Sequence, residues 1–289
     1  MATRATVASV EGMNYRAMPL LDGHLQGPRG SFAAVGTPVL WHLEISHYNE
    51  KARWALDYKG VAHVRRAVTP GLQELTARRL RAGRTVPVLE MNGHAIGDST
   101  KIIEEIERRW PEPPLYPADP EERSRALDLE DYFDEQCGHD LRRVLFNDTL
   151  AEPETFLAMF YGADRRRIGL LETLTPLFCR LVKWRFRIRP ETVEESREKV
   201  RTAFDKLEAE VGPSGYLVGE SFTVADLTAA SILGLIVVPP EFPYIKAHPD
   251  VRTAQFRRFR DSLRDRPGFK WVEDMYARHR GTSAEVAAA

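Results

Sequence analysis

Cysteine is scarce: Cys137 and Cys179 are the only two in 289 residues. They stand far apart and form neither a C-x-x-C pair nor a metal-like cluster, so nothing suggests a dithiol redox centre or a bound metal. A reducing, cytoplasmic setting is the expectation. Charge of one sign is also lacking, with Lys+Arg 41 against Asp+Glu 42 and a net charge of −1. No global field therefore argues for a nucleic-acid or anionic-membrane partner. Lysine supplies only eight of the basic residues; the Arg and Ala bias suits a GC-rich genome and says little about chemistry. No run approaches the roughly 18 apolar residues of a spanning helix. The first residues also lack the basic-then-apolar build of a secretory signal.

What is present is a globular composition, 43% hydrophobic and 29% charged, on a chain long enough for two packed domains. Residues 1–36 mix Gly, Pro, Ala and Ser without a sustained period and are expected to be a largely disordered extension. Residues 38–43 form a short apolar run that suits a central strand. After Ser46, Tyr48, Ala52, Ala55 and Leu56 recur at helical spacing, and Lys59-Gly60 supplies the stop. A strand over 61–68, a helix over 72–80, a strand over 85–89 and a strand at Ala95-Ile96 follow. Ile102, Ile103, Ile106 and Trp110 then stripe a helix that Pro111 terminates.

The order is therefore β-α-β-α-β-β-α. The prolines between 111 and 120 make a stiff joint, and everything beyond it reads helical. Val200, Phe204, Leu207 and Val211 stripe one helix; Phe256, Phe259 and Leu263 stripe another. Thr223-Val224-Ala225-Asp226 is a capping box before a helix that is apolar nearly all round. The expected division is 37–112, a linker over 113–125, and 126–289.

The organising stretch is Thr85-Val86-Pro87-Val88-Leu89, followed by Glu90-Met91-Asn92-Gly93-His94 and Gly97-Asp98-Ser99. A strand, a two-residue hairpin turn and a capped helix start fall within about fifteen residues. This ordered set resembles the thioredoxin-like half of the soluble glutathione transferases, and the Thr-x-x-Asp box resembles their helical half. The resemblance implies an α/β thioredoxin-like domain followed by an all-α domain. It also implies that the backbone at Val86-Pro87 holds the cysteinyl part of glutathione, while Asp98 and Ser99 hold its γ-glutamyl end.

In the resembling family the loop after the first strand carries the residue facing the glutathione sulfur. Counting back from Ala52 places Ser46 there, with Asn49 and Tyr48 as alternatives. The start of a helix favours an anion, and a hydroxyl donated to a thiolate holds it ionised. Ser46 is equally suited to capping the helix, as Asp98 and Ser99 are to capping theirs, and the roles are compatible. The absence of cysteine in the loop argues against a mixed-disulfide mechanism. His47 is expected to be an exposed neutral ring, and Arg84 a surface charge.

A second pocket would lie between the domains, lined by Phe156, Phe160 and Trp184, with Met159 and Tyr161 nearby. The run 180–189 alternates apolar and cationic residues, which suits a basic wall or a solvated face with snorkelling arginines. The expectation is a glutathione transferase-like enzyme acting on a small electrophile, as a homodimer and without metal. A different low-molecular-weight thiol, or an adaptor with the same fold, are the alternatives.

Overall fold

The computed structural model describes residues 36–152, 175–244 and 253–287. Nearly all of the expected extension, together with Phe156, Met159, Phe160 and Tyr161, lies outside them. The first half runs β1 (Val39–His42), α1 (His47–Tyr58), β2 (Val64–Ala67), α2 (Gln73–Arg79), β3 (Val88–Met91), β4 (His94–Gly97) and α3 (Ser99–Arg109). The second half runs α4 (Pro120–Asp131), a π-helical turn (Tyr132–Cys137), α5 (Gly138–Leu150), α6 (Thr175–Arg185), α7 (Pro190–Glu210), α8 (Val224–Val237), α9 (Ala254–Asp261) and α10 (Pro267–His279).

The expected β-α-β-α-β-β-α order is present, as a thioredoxin-like domain with a helical domain after it. The strands lie in the order β2-β1-β3-β4. β1 is parallel to β2 and antiparallel to β3, and β3 is antiparallel to β4. Side chains alternate across this sheet as the strand period requires. Val88 faces Val68, Ala77 and Val86 on the α2 side, while Leu89 joins the main core with Leu40, Ile102 and Ile103. Asn92 and Gly93 turn the hairpin with φ of 54° and 76°, the left-handed values that a two-residue turn demands. The strand expected over 85–89 starts only at Val88. Pro87 has no N–H to give to a ladder, and its bond to Val86 is cis.

The helical half packs around α8, every residue of which is buried. Asp226 fixes its start: one carboxylate oxygen accepts from the Thr223 N–H and hydroxyl, both at 2.9 Å, and the other from the Leu217 N–H at 2.8 Å. Val200, Phe204 and Leu207 of α7 are fully buried, as the stripe implied.

Helix α1 lies between α3 and α8. Four of its charged side chains, Glu50, Lys51, Arg53 and Asp57, are consequently buried. Each is paired, as a buried charge must be. Lys51 bridges Glu130 and Asp134 at 2.9 Å each and donates to the Thr100 hydroxyl at 2.8 Å. Arg280, just past α10, reaches Glu50 at 2.5 Å and Asp57 at 2.8 Å. Lys59 holds the proline joint through the carbonyls of Trp110 and Pro113, at 2.8 and 2.7 Å. Among the described residues no helix is long and apolar enough to cross a membrane, and no group of three potential metal ligands is found.

Candidate functional site

The loop between β1 and α1 presents Ser46 as the N-cap residue of a 12-residue helix, with extended φ and ψ of −153° and 125°. Its hydroxyl makes no capping bond. Instead Ser46 Oγ accepts from Asn49 Nδ2 at 2.7 Å. The same amide donates to the Val86 carbonyl at 3.4 Å, and its oxygen accepts from the Leu43 N–H at 3.1 Å. The Leu43 N–H fixes which way the Asn49 amide points. Asn49, 1% exposed, therefore ties the loop to the Val86-Pro87 segment, and no described residue accepts the Ser46 O–H proton.

Arg53 braces the same loop from beneath. Its guanidinium donates to the carbonyls of Leu43 and Glu44 at 3.0 and 3.1 Å and meets His42 Nδ1 at 2.9 Å. Two other candidate residues stand at the start of α3. Asp98 has φ of 77° and caps the helix, one carboxylate oxygen accepting from the N–H groups of Thr100 and Lys101 at 3.0 and 3.3 Å. Its other oxygen accepts from no described residue. Ser99 is 4% exposed, and its hydroxyl has no hydrogen-bond partner among the described residues. The Val86 N–H likewise has none.

Tyr48 makes its hydrogen bond to the helical half. Its hydroxyl donates to the Asp134 carbonyl of the π turn at 3.1 Å, and burial pushes its pKa well above the usual phenol value. His47, expected at the surface, is 2% exposed. The cause is Gly138, where the first turn of α5 comes against the His47 and Tyr48 rings. An added Cβ there would stand 2.5 Å from the Tyr48 hydroxyl oxygen and 3.2 Å from His47 Nε2. Gly138→Ala is expected to lower stability by about 1–3 kcal/mol through overpacking, despite alanine's better helix propensity. A raised thermal midpoint in this variant would show the contact to be slack.

Two stretches of the chain match known family patterns. The family profile described as "Glutathione S-transferase, N-terminal domain" matches residues 40–114, and the one described as "Glutathione S-transferase, C-terminal domain" matches residues 190–270. Together they span more than half of the chain. The chain belongs to the glutathione S-transferase superfamily.

Solved structures agree at the level of the fold. FzlA from C. crescentus is 20% identical, with 82% of this chain and 91% of that one covered at a TM-score of 0.52. A glutathione S-transferase from Methylobacterium radiotolerans, in complex with glutathione sulfonate, is 22% identical over 81% of this chain and 93% of that one, TM-score 0.51. The beta-etherase LigF from Sphingobium sp. strain SYK-6 is 21% identical over 82% and 99%, TM-score 0.54. A comparison with curated protein sequences gave no match.

In this transferase-family chain, then, Ser46, Asn49 and Val86 are joined by hydrogen bonds, and Asp98 and Ser99 share one helix start. Trp184 is 75% exposed on α6, with no ring contact among the described residues. Arg84 is an exposed partner of Glu74 at 2.9 Å. Gly138 shapes the site without any local signal in the sequence, because it acts on His47 and Tyr48, which only folding brings close; Asn49, named above as an alternative to Ser46, serves instead as its hydrogen-bond donor.

Proposed function

We propose that the protein activates the thiol of glutathione for attack on a small electrophile. The observation that carries this is the Ser46 hydroxyl, which accepts from Asn49 and has its own proton to give at the positive end of α1. A hydroxyl so placed donates to a thiolate and favours ionisation. The Val86 N–H would receive the cysteinyl carbonyl as an added strand does. Ser99 would hold the γ-glutamyl carboxylate with its hydroxyl and amide, and the outer oxygen of Asp98 its ammonium group. The thiolate forms a carbon–sulfur bond, and the displaced electron pair leaves on a leaving group or on a conjugated acceptor. A dimer of two copies, a cytoplasmic location and the division at 112 and 125 belong to the same reading.

Calorimetric titration with glutathione tests it. Saturable binding is expected, weakened about tenfold or more in Ser99→Ala, which removes a hydrogen bond to a charged group. Ser46→Ala should leave the melting temperature in place and raise the pH at which the bound thiol ionises, read from thiolate absorbance. An unshifted ionisation would remove Ser46 from the role. Binding of mycothiol alone would keep the chemistry and change the thiol. Binding of neither would favour an adaptor with this fold.

A further inference from the structure

One cation near the Tyr48 ring has no counter-charge among the described residues. Arg142 rises from α5 with its guanidinium carbon 4.9 Å from the Phe186 ring centroid and 6.0 Å from that of Tyr48. Its Nε is sealed from solvent without a hydrogen-bond partner, and the guanidinium has neither a hydrogen bond nor an ion pair among the described residues. The next residue shows what is missing. Arg143 is met by Asp140 and Ser196, both at 2.6 Å, and by the Phe186 carbonyl at 3.2 Å. Asp134 and Asp140 are already engaged, by Lys51 and Arg143.

Two further groups lean the same way. Arg185 places a second guanidinium 5.4 Å from the same Phe186 centroid, again with no carboxylate among the described residues. His47, against Tyr48 at 4.1 Å between ring centroids, has both ring nitrogens buried and unpartnered. Burial, with Arg185 and Arg143 beside it, pulls the Arg142 pKa below its ordinary value. A half-buried guanidinium without a partner is unfavourable unless something outside the chain completes it. Planar guanidinium groups match the two oxygens of a carboxylate through paired N–H donors, and a carboxylate, unlike a phosphate, is readily carried on a conjugated electrophile.

We propose that Arg142, with Arg185 beside the same Phe186 ring, receives a carboxylate carried by the second substrate, so that the electrophile is an aromatic or conjugated acid. This rests on thiol activation at Ser46, two residues from the Tyr48 ring against which Arg142 stands. The rings of Tyr48 and Phe186 would take the flat apolar body and the guanidinium its charged end.

The probes are 4-nitrobenzoate and its methyl ester, titrated calorimetrically into the full chain without glutathione. The acid is expected to bind about tenfold or more tightly than the ester, as a charge-assisted hydrogen bond provides. Arg142→Gln should abolish that preference, Arg142→Lys should keep part of it, and Arg185→Gln should reduce it less. Equal binding of the two probes, no binding of either, or a preference that survives Arg142→Gln overturns the proposal. Should Arg142→Gln fail to fold, the wild-type ratio and the lysine variant decide. Glutathione titrated in parallel separates the two readings. Glutathione binding without acid preference defeats only the carboxylate site, and acid preference without glutathione binding defeats only the thiol site.

Discussion

Arg280→Ala is expected to lower the free energy of unfolding by about 3–5 kcal/mol, the effect of removing one partner from a buried ion pair. Arg280 is 4% exposed at its side chain, and both its acceptors, Glu50 and Asp57, are fully covered. Burial alone would raise the Asp57 carboxyl, but Arg280 and Arg65 outweigh it and hold the group below the usual carboxylate range. The guanidinium also lies 5.8 Å from the Trp54 ring centroid, so its loss opens packing as well as charge. The damage should reach the proposed thiol site, because Glu50 is the partner of Arg53 at 2.8 Å and Arg53 braces the Leu43 and Glu44 carbonyls ahead of Ser46. Urea denaturation checks the first effect and glutathione titration of the folded fraction the second. A loss under about 1 kcal/mol would mean that water replaces the guanidinium at Glu50 and Asp57.

The same network marks what local pattern conveys and what it does not. The hairpin at Asn92-Gly93, the α3 stripe and the Thr223-Asp226 box are legible because their determinants sit within a few residues of each other. Val86, Pro87, Asp98 and Ser99 are legible for the same reason, as a motif on one strand, turn and helix start. Helix α1 is different. Its Glu50, Lys51 and Asp57 each have a partner far along the chain: Thr100 is 49 positions from Lys51, and Arg280 is 230 from Glu50 and 223 from Asp57. Burial there follows from packing between α3 and α8, which no window of local sequence contains. His47 is misplaced by the same cause, since Gly138 alone lets α5 come down on it. The π turn at Tyr132–Cys137 has no sequence signature either, although its Asp134 both anchors Tyr48 and pairs with Lys51.

The buried histidines make the protein sensitive to mild acid. His42, His47 and His63 are each at most 2% exposed. Burial, then Arg53 beside it, lowers the His42 pKa from 6.5 to about 2. Arg53 can only donate, so His42 Nδ1 at 2.9 Å must be the unprotonated acceptor. His63 is fixed in the opposite tautomer: Nδ1 donates to the Val61 carbonyl at 2.7 Å and Nε2 accepts from Arg65 at 3.0 Å. Its pKa is lowered, chiefly by burial. Burial and the nearby Arg142 charge hold His47 well below its ordinary value. All three are neutral in the folded chain and titrate near 6.5 when unfolded, so below that pH the unfolded state binds more protons. Their contribution is complete above about pH 6.5 and is lost as the pH falls, by about 2 kcal/mol for each ring fully held neutral between pH 7 and pH 5. Asp226, raised to about 6 by burial, works in the opposite direction. It gains its proton first in the folded state and returns about 1 kcal/mol over the same interval. Asp148, also raised by burial, adds to that return. With His42 and His47 held neutral throughout and Asp226 offsetting part of their effect, the net expectation is a fall of about 3 kcal/mol from pH 7 to pH 5, to which His63 adds and from which Asp148 subtracts, read from urea midpoints at the two values. His63→Gln should flatten the dependence, since its amide can reproduce one donor and one acceptor without titrating. Midpoints that agree at pH 7 and pH 5 would require these rings to reach water, which the Arg53 and Arg65 bonds to His42 and His63 do not allow.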